Sequence, residues 1–323
     1  MSQTTSTFPR SSDTPGALPD FAQLVCKDMQ QIRLGLDHIG QDKAALFQAS
    51  VFRSLLHIAF DWVCLFAALW AVMLWGWWAV PAALLVMGNR QRALGNVLHD
   101  CSHRNISRRA QINDLIARTL MAPLLLADFE HYRKTHLAHH MHLGHPQHDP
   151  DYMQSAGAHR NCWRETFRAN LRARQWTNTL LGDFAKPLRV QKLLYIVLWW
   201  TVLLVSMGFI AGWQTTGVFV ALCLAARATV FFLITLFREM CDHFGREPGG
   251  IFQFSRDITA RGVLRYMVHP KNNGYHLTHH LLPTVPYYHL PAAHQALLKL
   301  PVFQQHACIC TSYLFGQQAV VRA

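Results

Sequence analysis

Three short runs of histidine dominate the chemistry this chain can do: His99-x3-His103, His136-x2-His139-His140 and His276-x2-His279-His280. Imidazoles three and four residues apart share one face of a helix. One helical turn can therefore aim two or three ligands at a single point. The eight histidines of these runs are enough to hold two transition-metal ions. The chain is rich in histidine, with 20 in 323 residues, so accident has to be weighed. At that frequency a His-x2-His-His pattern is expected roughly 0.07 times in such a chain, and two of them in roughly a few chains per thousand. Isolated histidines such as His38, His57, His159 and His306 are read as polar side chains with local hydrogen bonds; the clusters are read as a metal site.

The elements that must position these ligands are apolar. Half the chain is hydrophobic (51%) and only 15% is charged, against about 25% for an ordinary soluble domain. Residues 62–88 and 193–226 contain no charge, and runs above about 18 apolar residues are candidate membrane spans. The segment 193–237 is long enough for two spans joined by a turn at 211–217. An even number of spans then separates the second histidine cluster from the third, which puts both on one side. Between the first and second clusters, the run 115–127 is short and carries Arg118 and Pro123, which suits an in-plane or re-entrant helix. The first apolar region reads as a span over 55–75, a turn at Gly76 and a return over 77–95, with a single span as the alternative. Arg90 and Arg92 near the end of that return are placed to snorkel to the interface.

The expected fold is thus an all-α integral membrane protein of two transmembrane helical hairpins, about four spans, with a cytosolic helical cap around a histidine-rich di-metal site. Along the chain this gives a disordered tail (1–20), an amphipathic N-terminal arm (21–53) and a first hairpin (54–98). A cap with the first two clusters (99–192), a second hairpin (193–238) and a cap with the third cluster (239–323) follow. The tail is Ser-, Thr- and Pro-rich and does not read as a cleavable signal peptide. Arginine and lysine crowd the stretch 99–192 and are missing from both hairpin turns. By the positive-inside rule the clusters face the cytosol. The net charge of +12 then either binds anionic headgroups or adds a docking surface for acidic carrier or redox proteins.

Other residues refine this picture. His243, at the end of the last span, emerges on the face of the clusters and is a ninth candidate ligand. Asp100, Asp128, Glu130, Asp149 and Asp242 are candidates to orient the ligating rings. The eight cysteines form no Cys-x2-Cys pair, so neither a disulfide framework nor structural zinc is expected, and Cys101 and Cys241 are given no ligand role. Asp61 and Arg227 are charges inside spans, either functional, snorkelling to the interface or paired with each other.

The segments His99-Asp100-Cys101-Ser102-His103, Arg133-Lys134-Thr135-His136-Leu137-Ala138-His139-His140 and Asn273-Gly274-Tyr275-His276-Leu277-Thr278-His279-His280 resemble the three histidine boxes of the integral-membrane fatty acid desaturases. The likeness runs roughly from the first span to Pro291 and includes Leu281–Pro291. It implies two iron ions on His99, His103, His136, His139, His140, His243, His276, His279 and His280, with O2 and two electrons used to oxidise an unactivated C–H bond. Some members carry, four residues before the His243 position, an Asn that holds a metal-bound water; this chain has Glu239, which binds iron, binds water or does neither.

The expected substrate is a fatty acyl group on a lipid, an acyl carrier protein or coenzyme A; nucleic acid is not an expected partner. No dinucleotide or haem motif is visible, so electrons are expected from a separate ferredoxin- or cytochrome-type protein. A bacterial inner membrane is the expected location. A lipid or carotenoid hydroxylase or ketolase on the same scaffold is the alternative, and a histidine-rich metal transporter a more distant one, disfavoured because the ligands lie beyond the span ends.

Overall fold

The computed structural model describes residues 20–157, 162–185 and 189–322. The expected disordered tail therefore falls outside the described residues, apart from Asp20, as does His159. The chain is mostly helical. Its N-terminal arm is α1 (Phe21–His38), capped by Asp20, followed by the short α2 (Lys43–Leu46). The two long helices α3 (Val51–Trp75) and α4 (Val80–Ser102) come next. Gly76 joins them at φ 62°, a left-handed value that glycine adopts without strain. The chain doubles back there, and Arg90 of α4 donates to Asp61 of α3 at 3.0 Å. Across the cap run α5 (Ala110–Leu120), α6 (Phe129–Met141), α7 (Trp163–Asn170) and α8 (Ala173–Leu181). The second hairpin is α9 (Val190–Ala211) and α10 (Trp213–Ala226), turned at Gly212 with φ 87°. One turn of π-helix, Arg227–Phe231, continues α10 into α11 (Phe232–His243). The C-terminal cap holds α12 (Ile251–Phe254), α13 (Val263–Val268), α14 (His276–Leu281), α15 (Leu290–Leu297) and α16 (Pro301–His306). A two-residue parallel pair, β1 (Asp257–Ile258) with β2 (Ile309–Cys310), is a small departure from an all-helical fold.

Three helical stretches among the described residues, Lys43–Ser102, Val190–Ala211 and Trp213–His243, are long and apolar enough to cross a membrane. The first contains both arms of the first hairpin. Their outward faces carry large apolar side chains, among them Phe52, Phe60, Trp70, Leu198 and Ile210. An apolar surface of that extent is stable against lipid rather than water. Trp75, Trp77, Trp78 and Trp213 are exposed at the two hairpin turns, where amphipathic rings favour the headgroup level.

The apolar run 115–127 is not one helix. The helix begins earlier, at Ala110, and ends at Leu120, because Pro123 disfavours helical backbone just before it. Its last carbonyls have no partner within the helix. Aromatic side chains of the hairpins supply them: Trp62 donates to Leu120 O at 3.0 Å, Trp199 to Thr119 O at 2.7 Å and Tyr195 to Arg118 O at 2.6 Å. Trp200 donates to Pro123 O at 3.0 Å in the turn beyond. This stitching fixes the cap on the hairpins.

The charges within the apolar helices also differ from expectation. Asp61 pairs with Arg90 and, at 2.8 Å, with Lys271 from the cap, not with Arg227. Arg90 is thereby turned inward, and Arg92 donates to Asn96 Oδ1 at 2.8 Å; neither snorkels. Charges this far from water find partners inside the protein when any are within reach.

Helix α4 lies at the centre of the bundle and touches α3, α10, the π-turn, α11 and α6. Gly88 permits its approach to the π-turn. A Cβ there would lie 2.7 Å from Val230 Cβ and 2.9 Å from the Phe231 backbone nitrogen. Backbone cannot yield as a flexible side chain does. Gly88→Ala is expected to destabilise the protein by about 1–3 kcal/mol, read as a lowered thermal unfolding midpoint in detergent. An unchanged midpoint would show that α4 can retreat from the π-turn freely.

Candidate metal centre

The histidines ride on the polar ends of these helices. His99 lies in the last turn of α4 and His103 caps it. His136, His139 and His140 occupy α6, whose start is fixed by Asp128 accepting from the Glu130 amide at 3.1 Å. His243 ends α11. His276, His279 and His280 lie in α14, six residues long and held from outside. Asp257 of β1 accepts from the Thr278 amide at 2.9 Å and from its hydroxyl at 2.5 Å.

All nine candidate histidines converge, in two groups. His99, His103, His136, His140 and His279 form one; His139, His243, His276 and His280 form the other. Within each group the donor atoms lie within 4.8 Å of one another. Boxes two and three split the same way. On a helix, residues four apart differ by about 40° in azimuth and adjacent residues by about 100°. So His136 and His140 point together while His139 points to the other group, and His276 and His280 point together while His279 crosses over. Glu239, Cys101 and Cys241 belong to neither group. Glu239, one turn before His243, opens into a cavity beside it.

The contacts inside each group cannot all be hydrogen bonds. His136 Nε2 lies 2.8 Å from His103 Nε2 and 3.0 Å from His140 Nε2, which is itself 3.2 Å from His279 Nε2. His276 Nε2 lies 2.8 Å from His243 Nε2 and 3.0 Å from His280 Nε2. A neutral imidazole nitrogen has one proton or one lone pair, so it can satisfy one such neighbour, not two. His99 Nε2 is buried with no partner at all. A cation removes the conflict: two nitrogens about 2.1 Å from one ion and at right angles are about 3.0 Å apart. The donor set therefore fits a transition metal in each group, and all-imidazole ligation suits iron, copper, nickel or zinc.

Electrostatics point the same way. Burial pulls the His103 pKa down to about 3, with the charge of His139 adding to it. Burial, then neighbouring imidazoles, hold His136, His140, His276, His279 and His280 well below 6.5. These rings are neutral at physiological pH, the form a metal binds. His139 differs. Burial opposes its charge too, but the Asp149 hydrogen bond and the charges of Asp151 and Asp149 outweigh it, and its pKa is raised.

Ring orientation is set from behind. His139 donates from Nδ1 to Asp149 Oδ1 at 2.7 Å, and His243 from Nδ1 to Phe254 O at 3.0 Å. Of the other acids considered, Asp100 lies 3.5 Å from His99 and Asp242 lies 3.6 Å from His276. Asp128 and Glu130 instead start α6 and pair with Lys192. The sequence reading missed His269, which donates to Asp242 Oδ1 at 3.1 Å and pairs with the Tyr313 hydroxyl at 2.8 Å. It also missed Arg238, one turn before Asp242 and 2.7 Å from it. A lone histidine carries no spacing signal; the Arg-x3-Asp interval on an expected helix was a visible one.

The family model described as fatty acid desaturase matches residues 75–312. The chain belongs to the fatty acid desaturase family. It is 25% identical to the dihydrorhizobitoxine desaturase of Bradyrhizobium elkanii over 78% of this chain and 77% of that protein. It is 26% identical to the sn-1 oleoyl-lipid 12-desaturase of Synechocystis sp. over 68% of this chain and 69% of that one. A 31% match to the sn-1 acyl-lipid omega-3 desaturase (ferredoxin) of Nostoc sp. covers 35% and 33%. Membership makes the protein an oxidoreductase and sets aside the metal-transporter alternative.

Asp149→Asn is expected to weaken metal binding about 10–100-fold, measured by chelator competition; unchanged affinity would show that Asp149 does not orient His139. In the metal-free protein, the lowered histidines bind more protons unfolded than folded between their folded values and 6.5. The stability is present above about pH 6.5 and is lost as the pH falls, with His139 only softening the slope. A thermal midpoint that stays flat on acidification would mean that water reaches the rings.

Proposed function

We propose that the protein is an O2-dependent membrane desaturase that introduces a C=C bond into a fatty acyl substrate at a centre of two iron ions. The carrying observation is the convergence of nine buried or half-buried histidines into groups of five and four with mutually unsatisfiable Nε2 contacts. His99, His103, His136, His140 and His279 would hold one ion, and His139, His243, His276 and His280 the other. Such a centre, when loaded, supplies an oxidant strong enough to take hydrogen from an unactivated methylene with O2 and two electrons, which no side chain can do.

The chain's own residues do the rest. Asp149 and the Phe254 carbonyl hold two rings in the tautomer that leaves Nε2 free for a metal. The packed helices around α4 exclude water from the buried ligands. Arrangement of one methylene against the centre sets which bond is oxidised. Electrons would come from a separate ferredoxin- or cytochrome-type protein, a reading supported by the relative named for ferredoxin. The two hairpins would cross a bacterial inner membrane four times, with the histidines and the basic stretch 99–192 at the cytosolic face. The substrate would be lipid-, carrier-protein- or coenzyme-A-linked.

Metal analysis and product profiling test this together. The purified protein is expected to contain about two irons per chain, as two metal ions on eight or nine imidazoles require. Cells expressing it should accumulate a product lighter by the two hydrogens of one double bond, absent with His139→Ala. A product heavier by one oxygen would make it a hydroxylase. Full activity in the His139→Ala variant would sink the proposed ligand set.

A further inference from the structure

A polar cavity of about 790 Å³ beside the site runs between α8 and the π-turn and α11. One end reaches Tyr132 and Glu239, and Tyr132 stacks on the ligand-bearing ring of His136 at 5.8 Å between centroids. The other end is lined by Arg227, with Arg174, Gln175 and Asn178 toward the surface. A tunnel meant only for hydrocarbon has no need of such a lining.

Arg227 is 5% exposed and sits in the π-turn. Part of its guanidinium is used: Nε donates to Leu180 O at 2.9 Å, and the group lies over the Phe231 ring at 4.9 Å. Its Nη1 has no partner. A buried guanidinium nitrogen left bare is costly unless something fills it. The surroundings are built to keep it there. Gly182 has φ 58°, and a Cβ on it would come 3.1 Å from Nη2. Trp176 of α8 donates to Ala228 O at 2.7 Å, satisfying a carbonyl of the π-turn. Asp183 acts on Arg227 through its charge, but its Oδ2 accepts from the Asp128 amide at 2.7 Å and leaves Nη1 unfilled. π-turns recur where a helix is adapted to a ligand.

We propose that this end of the cavity is an oxyanion subsite. The Arg227 guanidinium, which lines the cavity, takes a carboxylate or phosphate oxygen of the substrate, with Arg174 at the mouth. The substrate's reacting part then extends toward Tyr132 and the histidines. Twelve residues separate Arg227 from Glu239, about 18 Å along a helix, which sets the reach between anion and centre. This deepens the functional reading above and rests on it: the substrate class becomes one with an anionic end inside the cavity.

The test is binding to the full-length protein in nanodiscs, with empty nanodiscs subtracted. The probes are dodecanoate, dodecyl phosphate and uncharged dodecanol. The protein is expected to hold at least one anion about tenfold more tightly than the alcohol, the range for a charge-assisted hydrogen bond to a buried partner. The tighter anion tells a free acid from a phosphate-bearing carrier or lipid. Arg227→Gln should abolish that preference while leaving dodecanol binding and iron content as they were, and Arg227→Lys should restore part of it. The wild-type comparison needs no variant, so misfolding of a substituted chain cannot hide the answer. Equal binding of anions and alcohol, or full anion preference in Arg227→Gln, overturns the subsite. If iron is bound and turned over but no anion preference exists, the inference fails alone; if anions bind through Arg227 but no iron is taken up, the functional reading fails alone.

Discussion

The structure depends on an arrangement of nitrogens that is unfavourable without a cation. His136, His140 and His276 each face two other imidazole Nε2 atoms at 2.8–3.2 Å. Hydrogen bonding satisfies one such contact per nitrogen. Protonation would add charge where burial already holds most of these rings neutral. His99 Nε2, which faces the same group, is buried without a partner. Each unfilled buried group costs about 1–3 kcal/mol. A metal ion bound there would turn these penalties into bonds, and its binding energy would also be folding energy for the cap.

Long apolar helices suit this task. Their interiors satisfy all backbone groups without water, so they can cross a membrane, while their ends remain free to carry polar ligands. Helix α4 gives box one, α11 gives His243, and α6 and α14 lie across them. Where the cap must end a helix over the bundle, the hairpins supply the missing donors, as Trp62, Trp199 and Tyr195 do for α5. Asp61 works similarly in the reverse sense, drawing Lys271 of the cap down onto the hairpin beside Arg90.

What was legible in the sequence was periodicity. Spacing of three and four residues placed box-two histidines on one helix, and uncharged runs with glycine turns gave the doubled-back pairs α3–α4 and α9–α10. Partner choice was not legible, because it depends on which faces tertiary packing opposes. Asp61 reaches Arg90 and Lys271 rather than Arg227. Asp149 serves His139 from ten residues away through a loop, and His269 serves Asp242 from a region with no pattern. The π-turn has no residue signature either; it is visible only where Gly88 meets Val230. Nor could spacing alone show which group each histidine joins.

Because α6 sends His139 across and α14 sends His279 back, neither group is complete until both helices are in place. The Nε2 contact that links them, His140 to His279, spans 139 residues of chain. The chain between them includes the whole second hairpin, whose last helix α11 brings His243 to the group of four. Two sites built separately could fill one at a time. Two sites that exchange a ligand are coupled by the backbone of both helices, and disturbing α14 disturbs both. The exchange thus makes the two positions one cooperative unit, and it does so with no residue beyond those that the boxes already contain.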